Sequence, residues 1–511
     1  MTEIDVTALI QQMLQPGFYP HEVIEPVQLI QTHISYILLT GKYVYKLKKP
    51  MNFGFLDFST LEKRQYFCRE ELRLNYRGAA ELYIGVLPIT QVGSNYQLYG
   101  TGKVIEYVLK MYQFPQENLL SSMFDTKTLE EKHLVELGEM LALYHKLAEM
   151  NDYIRSFGKV TQLRKAIDEN YEQTEKYIGS LQTKVKFDET KAYSDRFFAE
   201  RQELLDQRVQ GNFIRECHGD LHLRNIALWH DKILMFDCIE FNESFRFVDV
   251  MYDVAFIVMD LEARHRQDLG NLFLNTYLEK TGDWEGLQVL PLYLSRQAYV
   301  RAKVTSFLLD DSQISAEAKE EASKIASNYY TQAWEYTKPH QGKLMIMSGL
   351  SGSGKSTTAH YLSRKLGAIQ IRSDAVRKHL AGIPLKSKGA DEIYTSAMTQ
   401  KTYRRLLDLG IILARQGFSV ILDAKYDLQV LRKKVTQEAE ENNIPLQIIQ
   451  CEAPIEVIKQ RLKNRNGDIA DATVGLLNSQ IENSEPLTKR EKEFLITVNT
   501  TQPLENQLTM L

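Results

Sequence analysis

The sequence predicts two domains of different fold class, an α+β domain with two lobes followed by an α/β domain. The chain has 511 residues, more than one compact core usually holds. Its first part begins with β-rich segments and then becomes helical, whereas strands and helices alternate from residue 343 onward. Such alternation is typical of a parallel sheet with helices on both faces. Lys338-Pro-His-Gln-Gly342 interrupts the pattern, and we therefore predict domains at 1–338 and 343–511.

Composition narrows the class of protein. With 44% hydrophobic and 25% charged residues the chain resembles an ordinary globular protein. The net charge of −4 argues against a dedicated nucleic-acid binder. The first residues have no signal-peptide pattern, and no apolar run reaches 18 residues, so we expect a cytoplasmic protein without membrane spans. The four cysteines have no zinc-ligand spacing and are expected to pack as small apolar residues.

The α+β prediction for the first domain rests on local patterns. Residues 34–51 read as two strands around Gly41, because β-branched and aromatic residues dominate both sides of that glycine. Ser59 and Thr60 precede a helical pattern that stops at Gly78. Further strands are predicted at 83–89, 95–99 and 104–111, and helices at 160–180, 187–209 and about 249–328. We therefore expect a small, mainly antiparallel lobe followed by a helical lobe.

The strongest motif is Gly349-Leu-Ser-Gly-Ser-Gly-Lys-Ser356, which fits G-x-x-x-x-G-K-[ST] between an apolar strand and an amphipathic helix. Its glycines let the backbone N–H groups curl around phosphates, its lysine adds a point charge, and the hydroxyl of Ser356 reaches Mg²⁺. ATP and Mg²⁺ are therefore the predicted cofactors. The expected nucleotide-binding residues are Gly349, Gly352, Ser353, Gly354, Lys355, Ser356 and Thr357.

Three further features favour a small kinase over other P-loop proteins. Asp374 follows a second strand, where it could orient or deprotonate an acceptor hydroxyl, and Arg377 could bind the anionic part of that acceptor. Asp423 ends an apolar strand and suits a metal-holding carboxylate. Arg461 and Arg465 lie one helical turn apart and could close over the phosphates as a lid. The alternatives are a helix cap at Asp374 and a solvated face for the arginine pair.

These residues resemble the AAA_33-type P-loop kinase family, which contains polynucleotide 5′-hydroxyl kinases, gluconate-type kinases and chloramphenicol phosphotransferase. The resemblance covers roughly 343–500. It implies transfer of a phosphoryl group from ATP to a hydroxyl. Lys425 stands where many relatives have a small hydroxyl residue, which leaves the acceptor open.

A second constellation lies in His218-Gly-Asp-Leu-His-Leu-Arg-Asn225 and in the strand that ends at Asp237. Asp220 and Asn225 have the spacing of a kinase catalytic loop, H-x-D-x-x-x-x-N, with a metal-binding aspartate after it. Asp220 would accept the proton of the acceptor hydroxyl, while Asn225 and Asp237 would hold Mg²⁺. The alternative is a polar turn between two strands.

Such a site also needs a lysine on the phosphates and a glutamate that holds the lysine. Lys46 at the end of the second strand and Glu71 on the next helix are the candidates. Lys48 points to the same face as Lys46, and Glu70 neighbours Glu71. The sequence leaves both choices open.

This region, about 20–330, resembles the aminoglycoside phosphotransferase family within the protein-kinase-like fold, and the resemblance implies that Asp249 and Asp253 brace the loop. No GxGxxG loop is present, and 32–35 stand where it would lie. The pairing of the two domains resembles bacterial bifunctional aminoglycoside phosphotransferase/ATP-binding proteins.

The implied function is an ATP-dependent phosphotransferase with two potential sites and a small-molecule hydroxyl acceptor. The alternatives are a pseudokinase sensor that regulates the P-loop domain, and a 5′-hydroxyl polynucleotide kinase, against which the net charge argues.

Overall fold

A computed structural model describes residues 6–312, 314–389, 391–464 and 468–508. The chain divides into two compact units. The first is made of Met1–His133, Leu143–Lys165 and Gln202–Ile257, and the second of Leu134–Ala142, Ala166–Arg201 and Val258–Leu511. The domain boundary expected between residues 338 and 343 falls inside the second unit and stays a prediction.

The first unit contains a six-stranded antiparallel sheet with the order β1-β2-β3-β6-β4-β5. Its elements are α1 (Val6–Met13), β1 (Gln28–Gln31), β2 (Ser35–Leu39), β3 (Tyr43–Lys48), α2 (Leu61–Ala79), β4 (Tyr83–Val92), β5 (Asn95–Leu98) and β6 (Lys103–Tyr112). Alternation along β3 buries Tyr45 against the core of this lobe. The hydroxyl of Thr60 accepts from the backbone N–H of Lys63 and starts α2.

Helices and short strands follow. They are α3 (Leu120–Asp125), α4 (Glu131–Leu147), α5 (Asp152–Ser156), α6 (Val160–Thr174), α7 (Lys184–Glu200), α8 (Gln202–Gln210), β7 (Ile214–Glu216), β8 (Ile226–Trp229), β9 (Lys232–Met235), α9 (Glu243–Arg246), β10 (Phe247–Asp249), α10 (Met251–Ala263), α11 (Gln267–Thr281), α12 (Leu290–Phe307) and α13 (Ala316–Glu335). The mixed α+β class predicted for this part is confirmed. None of the described helices combines the length and the apolarity that crossing a bilayer requires.

The rest of the chain alternates strands and helices around a five-stranded parallel sheet with the order β12-β13-β11-β14-β15. The elements are β11 (Lys343–Ser348), α14 (Lys355–Leu366), β12 (Ile369–Arg372), α15 (Ser373–Leu380), α16 (Ser396–Arg415), β13 (Ser419–Asp423), α17 (Gln429–Glu441), β14 (Leu446–Glu452), α18 (Ile455–Lys463), α19 (Leu477–Asn483) and β15 (Leu495–Asn499).

Helices cover both faces of this sheet, as predicted. Leu362 of α14 packs in one apolar cluster with Met345 of β11. On the opposite face Gly410 of α16 lies close to Leu344, the neighbour of Met345 on the same strand. The parallel sheet predicted for residues 343 onward is therefore confirmed. The carboxyl ends of β11 and β13 meet at the same edge, where open α/β sheets bind ligands.

The outer edge of strand β12 is covered by a side chain of α11 within the second unit. The side-chain amide of Asn275 donates to the carbonyl of Ala368 over 3.1 Å and accepts from the N–H of Gln370 over 2.7 Å. Asn271 donates to the same carbonyl over 3.0 Å. Asn275 thus bonds to the strand as a neighbouring strand would, and it satisfies two backbone groups that an edge leaves exposed.

Candidate active sites

The loop between β11 and α14 has a backbone that only glycine adopts easily. Gly349, Gly352 and Gly354 have φ values of +129°, +81° and +98°. A Cβ on Gly349 would lie 2.4 Å from the carbonyl oxygen of Cys451, and one on Gly354 would lie 2.8 Å from Cβ of Thr500. The glycines of the motif are therefore required by both conformation and space, as a phosphate-binding loop requires.

One cation in this loop fits an anionic ligand. The ammonium of Lys355 donates to the carbonyls of Gly349 over 2.9 Å and Leu350 over 2.8 Å, so that it spans the loop. The hydroxyl of Ser353 is buried and has no hydrogen-bond partner among the described residues. The cation that spans the loop lines the cavity and matches what a bound phosphate would need, whereas Ser353 lies behind the lining.

The loop opens into a cavity of about 430 Å³. Predicted residues that line it are Gly352, Gly354, Lys355, Ser356, Thr357, Asp374, Asp423 and Arg461. Gly349 and Ser353 belong to the same loop without being among the lining residues. One cavity is therefore surrounded by residues of the motif, by the two predicted carboxylates and by Arg461. The individual roles of these residues stay predictions.

The two carboxylates of the cavity have different surroundings. Asp423 accepts from the side-chain amide of Gln370 over 2.9 Å, and Nε of Arg372 lies 3.9 Å from it. Burial raises the pKa of Asp374, although Arg372 opposes the shift. Asp423 and the hydroxyl of Ser356 are the oxygen donors here that suit Mg²⁺. Asp374 is a stronger base than an exposed aspartate, which suits proton transfer.

Of the two arginines near the end of β12, Arg372 lines the cavity and the expected Arg377 does not. Arg377 is buried, donates to the carbonyl of Ile393 over 3.0 Å and to the hydroxyl of Thr399 over 3.2 Å, and is not among the described lining residues. Arg372 lines the cavity instead and pairs with Asp468. Its position beside Ser373-Asp374 at the end of β12 could have indicated that it lines the cavity.

Of the two predicted lid arginines, Arg461 lies in the cavity wall and Arg465 lies outside the described residues. Arg461 donates to the hydroxyl and to the carbonyl of Thr500, both over 2.8 Å. The ammonium of Lys425, which departs from the family pattern, pairs with Asp427 over 2.8 Å. Of the predicted lid, the described residues therefore include Arg461 alone, and its guanidinium is hydrogen-bonded to Thr500 in the cavity wall. A contact of Arg461 with phosphate stays a prediction.

The second candidate site lies in the first unit and centres on Glu71. Its carboxylate lies 2.8 Å from the ammonium of Lys46 and 2.7 Å from that of Lys48. Lys46 also contacts Asp237 over 2.6 Å, whereas Lys48 pairs with Glu240. Burial raises the pKa of Glu71, but the two lysines outweigh it and hold the pKa at about 2. Lys46 thus makes the contact expected of the phosphate-binding lysine.

The neighbouring glutamate faces other partners. Glu70 pairs with Arg73 over 2.9 Å on the surface of α2. Between the two glutamates left open by the sequence, the structure therefore brings Glu71 to the lysines.

The loop with Asp220 is held by buried hydrogen bonds. The backbone N–H groups of His218 and Gly219 donate to Asp253 over 2.8 and 2.9 Å. Asn225 donates to the carbonyl of Asp220 over 2.9 Å. Asp253 thereby braces the loop, as the family resemblance implied, and Asp249 pairs with Arg208 at 2.7 Å. The catalytic and metal-binding roles of Asp220, Asn225 and Asp237 stay predictions.

The chain is similar to proteins of known kinase type over its C-terminal part. Residues 344–487 match the AAA_33 family model, described as an AAA domain, which confirms the predicted P-loop domain. An adenylyl-sulfate kinase of Myxococcus xanthus is 32% identical over 130 residues, which are 24% of this chain and 63% of that protein.

Other similarities extend over more of the chain. Uncharacterized proteins of Mycobacterium tuberculosis and Mycobacterium bovis are 28% identical over 451 residues, 88% of each chain. An amicoumacin kinase structure with AMP-PNP, Ca²⁺ and amicoumacin covers 64% of this chain and 94% of its own at 12% identity, with a TM-score of 0.40. A Mycobacterium tuberculosis adenylyl-sulfate kinase structure covers 34% and 96% at 24% identity, with a TM-score of 0.26.

Proposed function

We propose that the P-loop site transfers the γ-phosphoryl group of ATP to a hydroxyl of a small molecule. The chain is an enzyme of the kinase class, supported by the family match over residues 344–487 and by the adenylyl-sulfate kinase relative.

The main support for this function is the set of charged groups around one cavity. The ammonium of Lys355 and the carboxylates of Asp374 and Asp423 line the same cavity of about 430 Å³. A phosphate-binding cation, a metal-binding oxygen donor and a base are the three groups that phosphoryl transfer from a nucleotide to a hydroxyl requires. The cavity is also large enough for a phosphate chain and a small acceptor.

The residues divide the work between the two substrates. The loop from Gly349 to Ser356 would hold the triphosphate through its backbone N–H groups and Lys355, and Ser356 with Asp423 would hold Mg²⁺, which neutralises phosphate charge. Asp374 would accept the proton of the acceptor hydroxyl. As the acceptor oxygen bonds to the γ-phosphorus, the bond from that phosphorus to the β-γ bridging oxygen breaks, and ADP leaves.

The first unit supports a second candidate function, a pseudokinase sensor. Lys46 lies within ion-pair distance of both Glu71 and Asp237, as the corresponding lysine does in a kinase site. The turn between β1 and β2, where a kinase would cover the phosphates with glycines, is instead closed by Thr32, whose hydroxyl accepts from the N–H of Ser35 over 2.9 Å. A site with its charged residues but without that loop fits ligand sensing as well as transfer.

A transfer assay with γ-labelled ATP separates these functions. The purified full chain is incubated with a small-metabolite pool and, separately, with a 5′-hydroxyl oligonucleotide, and compared with Lys355→Ala, Asp220→Ala and the surface control Lys459→Ala. We expect a labelled metabolite that is lost in Lys355→Ala and kept in the control. A labelled product that survives in Lys355→Ala and is lost in Asp220→Ala would indicate a second active site, whereas full labelling in Asp220→Ala favours the sensor.

Two outcomes would overturn the proposal. Equal labelling by wild type and Lys355→Ala would exclude the P-loop site as the source of transfer. Label on the oligonucleotide alone would replace the small-molecule acceptor by a polynucleotide end.

A further inference from the structure

Helix α11 packs against strand β12 of the P-loop sheet. It ends at Thr281, 68 residues before Gly349 of the phosphate-binding loop. Asn275 and Glu279 are four residues apart, and therefore lie on the same face of the helix. That face meets strand β12, whose last residue, Arg372, lines the cavity. Each of the two side chains connects to the predicted metal carboxylate, Asp423, through a different residue of β12.

The first connection runs through Gln370. Asn275 accepts from the backbone N–H of Gln370 over 2.7 Å. The side chain of Gln370 then donates to Asp423 over 2.9 Å and approaches the carbonyl of Ser356 at 3.4 Å. Gln370 therefore bonds at once to the helix, to the predicted metal carboxylate and to the phosphate-binding loop. Asn275 thus holds the outer side of Gln370, while β13 pairs with β12 on the other side.

The second connection runs through Arg372. Its guanidinium lies 3.8 Å from Glu279, 3.9 Å from Asp423 and in contact with Asp468. Three carboxylates thus share one cation. Without Glu279 the guanidinium would move toward the other two, because fewer negative charges would hold it back from Asp423. Burial raises the pKa of Glu279, and Arg372 opposes that shift, which agrees with a close pairing of the two groups.

The end of α11 is also fixed against α15. The ring of His379 is 2.8 Å through Nε2 from the backbone carbonyl of Glu279, and it lies edge-on to Trp284 at 5.7 Å. A Cβ on Gly282, which follows the helix, would lie 3.0 Å from the same ring. The backbone that carries Glu279 is therefore held close to the helix on which Asp374 lies.

We propose that Asn275 and Glu279 of α11 are positioning residues of the P-loop site, which act through Gln370 and Arg372 on the affinity of Asp423 for a divalent metal. The inference rests on the proposed function, because it presumes that Asp423 holds the metal of a bound nucleotide. It adds that the helical part of the chain ahead of residue 338 supplies part of the environment of this site.

A substitution elsewhere on α11 tests whether Glu279 acts merely by holding the helix against the P-loop fold. Asp268 of the same helix pairs with Arg266 at 2.8 Å and with Arg364 of α14 at 3.7 Å, and none of the three lines the cavity. Asp268→Asn and Glu279→Gln each replace a carboxylate of α11 by an amide of nearly equal size. The first weakens contacts of α11 that lie away from the cavity, whereas the second alters the charge around Arg372.

The experiment measures binding of a fluorescent ATP analogue to the full chain during a Mg²⁺ titration. Binding at the P-loop site is taken as the difference between the fluorescence signal of wild type and that of Lys355→Ala. We expect Glu279→Gln to raise the Mg²⁺ midpoint about fivefold or more, Asp268→Asn to leave it unchanged, and Glu279→Gln to add nothing in an Arg372→Gln background. Equal midpoints in wild type and Glu279→Gln would overturn the role of Glu279, and so would an equal shift in Asp268→Asn.

A second measurement needs no ligand. In Asn275→Leu the backbone N–H of Gln370 loses its acceptor, so its hydrogen exchange should quicken while the amides in the centre of the sheet, in β11, keep their rates. Unchanged exchange at Gln370 would refute the role of Asn275. The two hypotheses also fail differently: if wild type and Lys355→Ala give the same nucleotide signal, the proposed function falls, whereas normal wild-type binding without the Glu279 effect removes only this inference.

Discussion

Arg461 holds Thr500 through both its hydroxyl and its carbonyl, each over 2.8 Å. The hydroxyl of Thr500 in turn donates to the carbonyl of Ser353 over 2.6 Å. The segment after β15 is thereby tied to α18 on one side and to the phosphate-binding loop on the other. The phosphate-binding loop is therefore held in part by Thr500, which lies 147 residues after Ser353 in the chain.

Replacing Arg461 should weaken nucleotide binding. Arg461→Met removes two charge-assisted hydrogen bonds, and we expect about a tenfold increase in the Kd for Mg·ATP, since hydrogen bonds to charged groups contribute roughly 1.5–3 kcal/mol. Lys459→Met on the same helix is the control, because the side chain of Lys459 is 41% exposed, does not line the cavity and pairs only with Glu456 among the contacts the structure describes for it. Titration calorimetry measures both, and equal Kd values would refute the role of Arg461.

Gly354 should tolerate no side chain. Gly354→Ala combines a φ of +98° with a Cβ 2.8 Å from Thr500, so the loop must change shape, and we expect nucleotide binding at the P-loop site to be lost. Gly382→Ala has a φ of +67° but no atom within 4 Å of the added Cβ. The control should cost roughly 1 kcal/mol of stability through its backbone alone and keep binding. Normal binding by Gly354→Ala would show that the loop does not need this conformation.

Lys48 should matter for the stability of the first unit. Its side chain is 1% exposed and pairs with Glu71 and Glu240, so Lys48→Met leaves Glu240 buried without its cation. We expect a loss of about 3–5 kcal/mol, the range for breaking a buried ion pair. The exposed pair of Lys132 and Glu130 serves as a control, for which Lys132→Met should change little. Urea unfolding measures both, and a small effect of Lys48→Met would mean that Glu240 finds another partner or a proton.

The stability contributed by Glu71 should depend on pH in a known direction. Its pKa is lowered from 4.5 to about 2, so the folded state favours the carboxylate. The contribution is complete above about pH 4.5 and is lost as the pH falls toward 2. The difference in thermal midpoint between wild type and Glu71→Gln should therefore narrow below pH 4.5. A difference that widens on acidification would contradict the assigned shift.

The local part of both sites could be predicted from the sequence. The phosphate-binding loop is one contiguous segment, and its glycines carry the signal for its conformation. The strands around Gly41 and the helix after Thr60 were predicted for the same reason. Strand β1 was missed, because Gln28 and Gln31 make it polar and short. The helix predicted over 187–209 is two helices with a break at Arg201.

The rest depends on contacts between distant segments. Lys46 and Lys48 share one face of a strand, so periodicity could not choose between them, and only the fold shows that Lys46 alone of the two contacts Asp237. Glu279 lies 93 residues before its partner Arg372 on another element. No local pattern marks such a pair, because its geometry is set by how α11 packs on β12.

The loop from Gly349 to Ser356, which Lys355 spans, is proposed to bind the triphosphate of ATP. Titration calorimetry of Mg·ATP into the full chain and into Lys355→Met tests it most directly. We predict a binding event in wild type that is weakened by at least about a hundredfold in the variant, in line with the loss of a preorganised cation. Identical isotherms for the two proteins would show that Lys355 does not hold the nucleotide.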